Sequence, residues 1–234
     1  MNTRNSFLAP LFVSLSLASA HASVISIFDI GDEDWRVADL IQPFNGQPQI
    51  ASFLSPIFNP TGGNPGGAIQ ETDPSGNAFY FSAPSKFLGD QSSSLEGSLS
   101  WDLKMDLQAS SSASALILSD GITALYYQDS GPSPINAWRT YTVNLIGSSF
   151  TVNSPTGLTA SDSQLSVVLS NVEALYLRGD WNSGIETTQL DNVQLTTVPE
   201  PGTWLLLATG MVSLLGYGWR KPRTGFKTVL LSPS

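Results

Sequence analysis

The plainest pattern in the sequence is a strict alternation over residues 98–107. Leu99, Trp101, Leu103, Met105 and Leu107 fall on one side, and Ser100, Asp102, Lys104 and Asp106 on the other. A period of two is that of a strand with one buried and one wet face. Residues 139–145 repeat it, with Tyr141, Val143 and Leu145 opposed to Thr140, Thr142 and Asn144. Shorter apolar runs predict strands at 24–28, 78–82, 115–118, 124–127, 174–178 and 190–196. Turn-rich pieces rich in Gly, Pro and Asn, notably 59–67 and 129–134, separate them. Only 161–171 reads as a helix, with Ser161 and Gln164 spaced as a capping box. Many short strands, frequent turns and almost no helix predict one all-β antiparallel β-sandwich over residues 23–197.

The two ends follow a different pattern. Arg4, the apolar run 7–18 and Ala20-His21-Ala22 have the charge, core and A-x-A site of a secretory signal peptide, residues 1–22. Near the other end Pro199-Glu200-Pro201 precedes an apolar run over 204–219, then Arg220, Lys221 and Arg223. Sixteen helical residues span about 24 Å, slightly less than a hydrocarbon core of about 30 Å. Trp204, Tyr217 and Trp219 suit the membrane interface, and the basic cluster is expected to stay cytoplasmic. The run therefore predicts one transmembrane helix.

Pro-Glu-Pro, apolar helix and basic cluster, in that order over residues 198–223, resemble the PEP-CTERM sorting signal of Gram-negative bacteria. The resemblance implies recognition of Pro199, Glu200 and Pro201 by an exosortase, a membrane cysteine protease-transpeptidase. It also implies a precursor anchored transiently in the inner membrane, then delivered to the cell surface or extracellular matrix. That family usually ends close behind its basic cluster, whereas residues 224–234 continue here and include Val229, Leu230 and Leu231.

Within the body, Phe28-Asp-Ile-Gly-Asp-Glu-Asp-Trp35, Gly62-Gly-Asn-Pro-Gly-Gly67 and Phe87-Leu-Gly-Asp-Gln91 occur in order. Leu99-Ser-Trp-Asp-Leu103, Leu177-Arg-Gly-Asp-Trp181 and Leu190-Asp-Asn-Val-Gln-Leu195 follow. Together they resemble a laminin B (laminin IV) domain across residues 28–195. The resemblance implies a galactose-binding-like jelly roll, a fold shared with many carbohydrate-binding modules.

Charge and composition narrow the chemistry. Residues 23–198 hold five basic and 18 acidic side chains, a net of −13. Such a body repels phosphate backbones, so no nucleic-acid partner is expected. There is no cysteine, and the single histidine, His21, lies in the leader. Ser-His-Asp and Cys-His catalysis, thiol redox chemistry and His- or Cys-based zinc sites are thereby excluded from the mature protein. Carboxylates alone can hydrolyse a glycan. Glu71, Glu96, Glu173 and Glu186 sit in no motif that pairs them, however, and most are expected to be solvated surface charges.

Asp29, Asp32, Glu33 and Asp34 cluster after the first strand, and Asp191 lies in the last. Hard oxygen ligands of this kind suit Ca²⁺. In similar carbohydrate-binding jelly rolls a structural calcium joins these two places, so the resemblance assigns it to Asp29 and Asp191. The same residues also read as a solvated acidic turn and an Asp bonding main-chain amides. Tyr126, Tyr127, Trp138 and Trp181 lie at strand ends or beside Pro/Gly loops and are candidate platforms for a sugar ring. Trp35 and Trp101 read as core. The sequence thus predicts an exported, non-catalytic surface or matrix protein that binds extracellular polysaccharide. The alternatives are a structural, self-associating surface protein without a small ligand, and a carboxylate-based glycan hydrolase or lyase.

Overall fold

A computed structural model of the chain describes residues 23–110, 112–198 and 210–211. The expected signal peptide, Pro199-Glu200-Pro201, the apolar run 204–219 as a whole and the cluster Arg220, Lys221, Arg223 lie outside them. No helix among the described residues is long and apolar enough to cross a membrane.

The described body is a sandwich of two antiparallel sheets. One has the order β10 (Arg139–Asn144), β7 (Ser98–Met105), β13 (Thr187–Thr196), β5 (Ala68–Thr72), β4 (Ile57–Asn59). Its sixth strand, β1 (Ser23–Ser26), continues the β5 side along the far half of β13. The other sheet runs β11 (Thr151–Val152), β9 (Ala124–Ser130), β8 (Ser112–Ser119), β12 (Ala174–Arg178), β6 (Ala78–Ser82), β2 (Arg36–Ile41), β3 (Gln49–Leu54). Helix α1 (Asp162–Leu169) starts from the capping box expected at Ser161 and Gln164. Each side chain there accepts the other's orphan main-chain N–H.

The core between the sheets follows from the alternation. Leu99, Trp101, Leu103 and Met105 of β7 meet Val37, Phe79, Phe81, Leu116 and Leu177 from the facing sheet. At its centre Trp101, Tyr141 and Trp181 form a pillar of near-parallel rings. Centroids are 5.2 Å and 6.1 Å apart and planes tilt by 5° and 20°. Trp35 and Trp101 are buried as expected.

A second apolar cluster lies on the outer face of the seven-stranded sheet. Residues alternate with the core set there: Ala38, Ala78, Tyr80, Ile117, Tyr126 and Tyr176 face outward and are nevertheless buried. The cause is the connection between β2 and β3, residues 42–48, which folds across this face as a strap. Phe44 stacks on Tyr126 at 5.8 Å and meets Tyr80 edge-on at 5.9 Å. Main-chain bonds tie the strap down. Gly46 N–H donates to the Asn153 carbonyl at 2.6 Å, and the Tyr126 hydroxyl donates to the Gly46 carbonyl at 2.7 Å.

Candidate functional site

The four candidate aromatics do not converge. Trp181 belongs to the ring pillar and is 2% exposed, so it presents no face to solvent. Tyr126 is fully buried beneath the strap. Tyr127 is half-buried against Phe150, its hydroxyl donating to Asp129 at 3.3 Å. Trp138 is half-buried on the other sheet, where the Lys104 ammonium lies 4.7 Å from its ring centroid.

What the strap and its neighbours build instead is a polar groove. A cleft of about 350 Å³ opens between Gln42, Asp73, Asn77, Arg178, Asp180 and Asn182. A second, of about 370 Å³, is lined by Gln42, Phe44, Ser114, Gln128, Thr156 and Arg178. Gln42 and Arg178 line both, so the two clefts meet at the guanidinium. Arg178 ends β12 with its side chain on the outer face. It donates to the Tyr80 hydroxyl at 3.1 Å and lies 5.6 Å from the Tyr80 and Trp181 rings. Its Nη2 is 3.7 Å from the Asp180 carboxylate. Asp39 in turn accepts from Ser75 Oγ at 2.9 Å and Asn77 Nδ2 at 3.1 Å, which fixes the β5–β6 loop at the rim. Gln128 Nε2 donates to Ser114 Oγ at 2.7 Å across the second cleft. The groove thus presents amides, hydroxyls, carboxylates and one guanidinium beside the Tyr80 and Trp181 rings.

Below the first cleft lies a carboxyl pair that the sequence does not announce. Glu186, which sits in no motif, is fully buried. Its Oε1 accepts N–H bonds from Trp181 at 2.7 Å and Asn182 at 3.1 Å, while its buried Oε2 meets no N–H or O–H donor. The side chain instead adjoins Asp180. Burial, with the Asp180 charge added, pushes Glu186 up to about 7, and burial raises Asp180 as well. Burial is the largest cause at both groups, and a protonated Glu186 is the form that can donate towards Asp180. Glu186 is sealed from the cleft, so the pair cannot flank a glycosidic bond as a hydrolase requires.

The Asp29–Asp191 expectation finds its setting on the six-stranded sheet. The β13 register slips between Asp191 and Gln194, where the β5 pairing ends and the β1 pairing begins. The loop 62–67 folds into this join. Asn64 N–H donates to Asp191 Oδ2 at 2.6 Å, and Asn64 Nδ2 donates to Asp102 Oδ2 at 3.0 Å. Asn192 N–H takes Asp191 Oδ1 at 2.7 Å, and Thr140 Oγ1 donates to Asp102 Oδ1 at 2.6 Å. Only glycine fits at the close approaches, since a Cβ on Gly67 would lie 2.1 Å from the Phe28 carbonyl. Asp29 Oδ1 and Asp191 Oδ2 each lie 2.8 Å from the place of a Cβ on Gly66 and Gly63 respectively, so both carboxylates abut the one loop. Burial pushes Asp191 up to about 6, with the Asp102 and Asp29 charges adding to the rise. Glu33 turns away and pairs with Lys86. No group of three or more acidic side chains among the described residues converges as a metal cage.

Two solved structures are similar to this chain, and the first of them has the same architecture. The L4b domain of human laminin alpha-2 is similar over 76% of this chain and 98% of its own, at 9% identity and a TM-score of 0.61. The family 11 carbohydrate-binding module of the cellulosomal cellulase Lic26A-Cel5E of Clostridium thermocellum is similar over 78% of this chain and 98% of its own. Its identity is 18% and its TM-score 0.48. Likeness at such identities concerns the fold alone. No curated protein matches the chain. The PEP-CTERM protein-sorting motif matches residues 197–223. The Laminin B (Domain IV) family matches residues 80–204, more than half of the chain, beginning later than the resemblance that starts at Phe28. The chain belongs to the Laminin B (Domain IV) family and carries a PEP-CTERM protein-sorting motif.

Proposed function

We propose that this is an exported, non-catalytic protein of the cell surface or extracellular matrix that binds polysaccharide along its strap groove. The observation that carries the binding role is the meeting of two clefts at Arg178, beside the buried Tyr80 and Trp181 rings. An open, polar groove along a sheet accepts a stretch of chain, and its directional donors and acceptors select among hydroxyl configurations. The sorting motif supports delivery. An exosortase would read Pro199-Glu200-Pro201 while residues 204–219 hold the precursor in the inner membrane of a Gram-negative bacterium. Arg220, Lys221 and Arg223 would keep the tail cytoplasmic.

Affinity electrophoresis through gels containing soluble polysaccharides, among them the exopolysaccharide of the producing strain, tests the groove. The protein should be retarded by at least one of them. Gln128→Ala should weaken retardation about tenfold, the effect of one lost hydrogen bond of about 1.4 kcal/mol. Thr156→Trp, from the exposed rim, should fill the second cleft and abolish it. Unretarded wild type on every gel, or unchanged retardation of Thr156→Trp, removes the groove from consideration.

We further propose a structural calcium at the join of Asp29, Asp191 and the loop 62–67. Convergence of acidic charge on one glycine loop supports it, and main-chain carbonyls there would complete an oxygen set. Bound calcium would tie β1 to β13 through that loop. Millimolar calcium should then raise the melting temperature and excess chelator reverse the rise. A melting curve indifferent to both disposes of the site.

A further inference from the structure

On one side of the sandwich both sheets end in strands drawn from a single uncharged stretch. Residues 42–70 contain no Asp, Glu, Lys, Arg or His, within a body whose net charge is −13. This stretch supplies β3, the last strand of the seven-stranded sheet, and β4, the last strand of the six-stranded one. β3 bonds only to β2, and all six of its residues are exposed. Its register against β2 slips between Ile50 and Ser52, so the free side offers unpaired main-chain N–H and C=O groups on either side of a bulge at Ala51, which another strand can complete. Apolar side chains stand on the same wall. Ile50, Phe53 and Leu54 are 41%, 37% and 38% exposed, and Ile57 of β4 is 56% exposed. The other sheet edges are short or charged: β11 has two residues, β4 three and β1 four, and β10 opens on Arg139.

We propose that this wall is a self-association surface, on which β3 pairs antiparallel with β3 of a second copy across a twofold axis. Charge and pattern together select a second copy as the occupant. Two bodies of −13 repel each other over most of their surfaces, and the uncharged wall is where close approach brings no acidic groups together. The charge that does touch it is a cation: the Arg36 guanidinium lies 4.3 Å from the Phe53 ring centroid. The strand is also self-complementary. The bulge sets Ile50 and Phe53, opposite Leu40 and Ala38 of β2, on one face, so an axis between Ala51 and Ser52 brings Ile50 opposite Phe53 of the partner subunit, a β-branched–aromatic pair made twice. Six residues at about 3.3 Å each give a ladder about 20 Å long. The pairing would join two seven-stranded sheets into one and leave both grooves open. It does not depend on polysaccharide binding.

Sedimentation equilibrium of the purified protein over about two decades of concentration reads the association directly. The wild type should pass from monomer to dimer. Phe53→Lys, a charge on the free edge, should stay monomeric with unchanged circular dichroism. Thr142→Lys, on the exposed face of β10, should dimerise like the wild type. A wild type that stays monomeric throughout, or a folded Phe53→Lys that dimerises equally, overturns the proposal. Because the chain has no cysteine, cross-linking gives a second measure. Ile50→Cys mixed with Phe53→Cys should form a disulfide-linked dimer on oxidation, and neither should do so alone. Absence of cross-linking in the mixture, or equal cross-linking of the unmixed samples, overturns the twofold pairing. Gel retardation on polysaccharide, read on the same variants, should be unchanged, so failure here is distinguishable from failure of the groove.

Discussion

Replacing Trp181 with alanine is expected to cost roughly 3–5 kcal/mol of stability, the range for deleting a large buried aromatic ring. Its indole stacks on Tyr141, and its Nε1 donates to the Arg178 carbonyl at 3.1 Å. The same ring also lies under the Arg178 guanidinium. Truncation would leave a cavity at the end of the Trp101–Tyr141 pillar and remove the floor beneath Arg178. Urea denaturation followed by tryptophan fluorescence measures the loss, and a melting curve should show a fall of roughly 10 °C for a domain of this size. A loss below about 1 kcal/mol would show that the ring is not packed as described. Any accompanying loss of polysaccharide retention would follow from damage to the fold, which is why Gln128 and Thr156 are the cleaner probes of the groove.

Glu186→Gln is expected to stabilise the protein at pH 8 and to flatten its dependence on pH. The folded-state value of Glu186, about 7, lies above the ordinary glutamate value of 4.5. Between those values the folded protein holds a proton that the unfolded chain has released. Stability must therefore fall as pH rises from about 4.5 to about 7, by up to about 3 kcal/mol at about 1.36 kcal/mol per pH unit. The direction is opposite to that of a salt-bridged carboxylate. Asp180, Asp73 and the Arg178 cation are the charged groups around the pair, and the guanidinium offsets part of the repulsion. Glutamine reproduces the protonated state: its carbonyl can accept from Trp181 and Asn182 while its amide donates to Asp180. Denaturation curves from pH 4.5 to 8 check this, and a wild type most stable at pH 8, with Glu186→Gln weaker at every pH, would contradict it.

The legible part of the fold is the part in which burial alternates. Strands β7 and β10 stand out because one face meets the core and the other meets water, and α1 because its capping box is written in two residues. β2, with the sequence Arg-Val-Ala-Asp-Leu-Ile, shows no alternation because the strap buries its outer face as well. β3 escapes notice for the opposite reason, having all its residues exposed at an edge. Trp181 looks like a platform because it follows Arg-Gly-Asp in a loop, yet that loop turns inward and delivers the ring to the core. Glu186 carries no local signal at all. Its raised value requires burial beside Asp180, which lies six residues earlier, and its place requires a main chain folded so that two consecutive N–H groups meet one oxygen.

By itself the sequence determined the sandwich class, the acidic and His- and Cys-free body, and the sorting motif, because each is written in composition, period or contiguous residues. Only the tertiary structure decided which aromatic rings are buried, where a groove opens, and which acidic groups meet. Those properties depend on the strap crossing the seven-stranded sheet and on the loop 62–67 entering the six-stranded one. Both are contacts between residues far apart in the chain, and no local pattern encodes a distance across a fold. The uncharged stretch 42–70 joins the two levels: its composition is visible at once, and its place at both sheet edges appears only after folding.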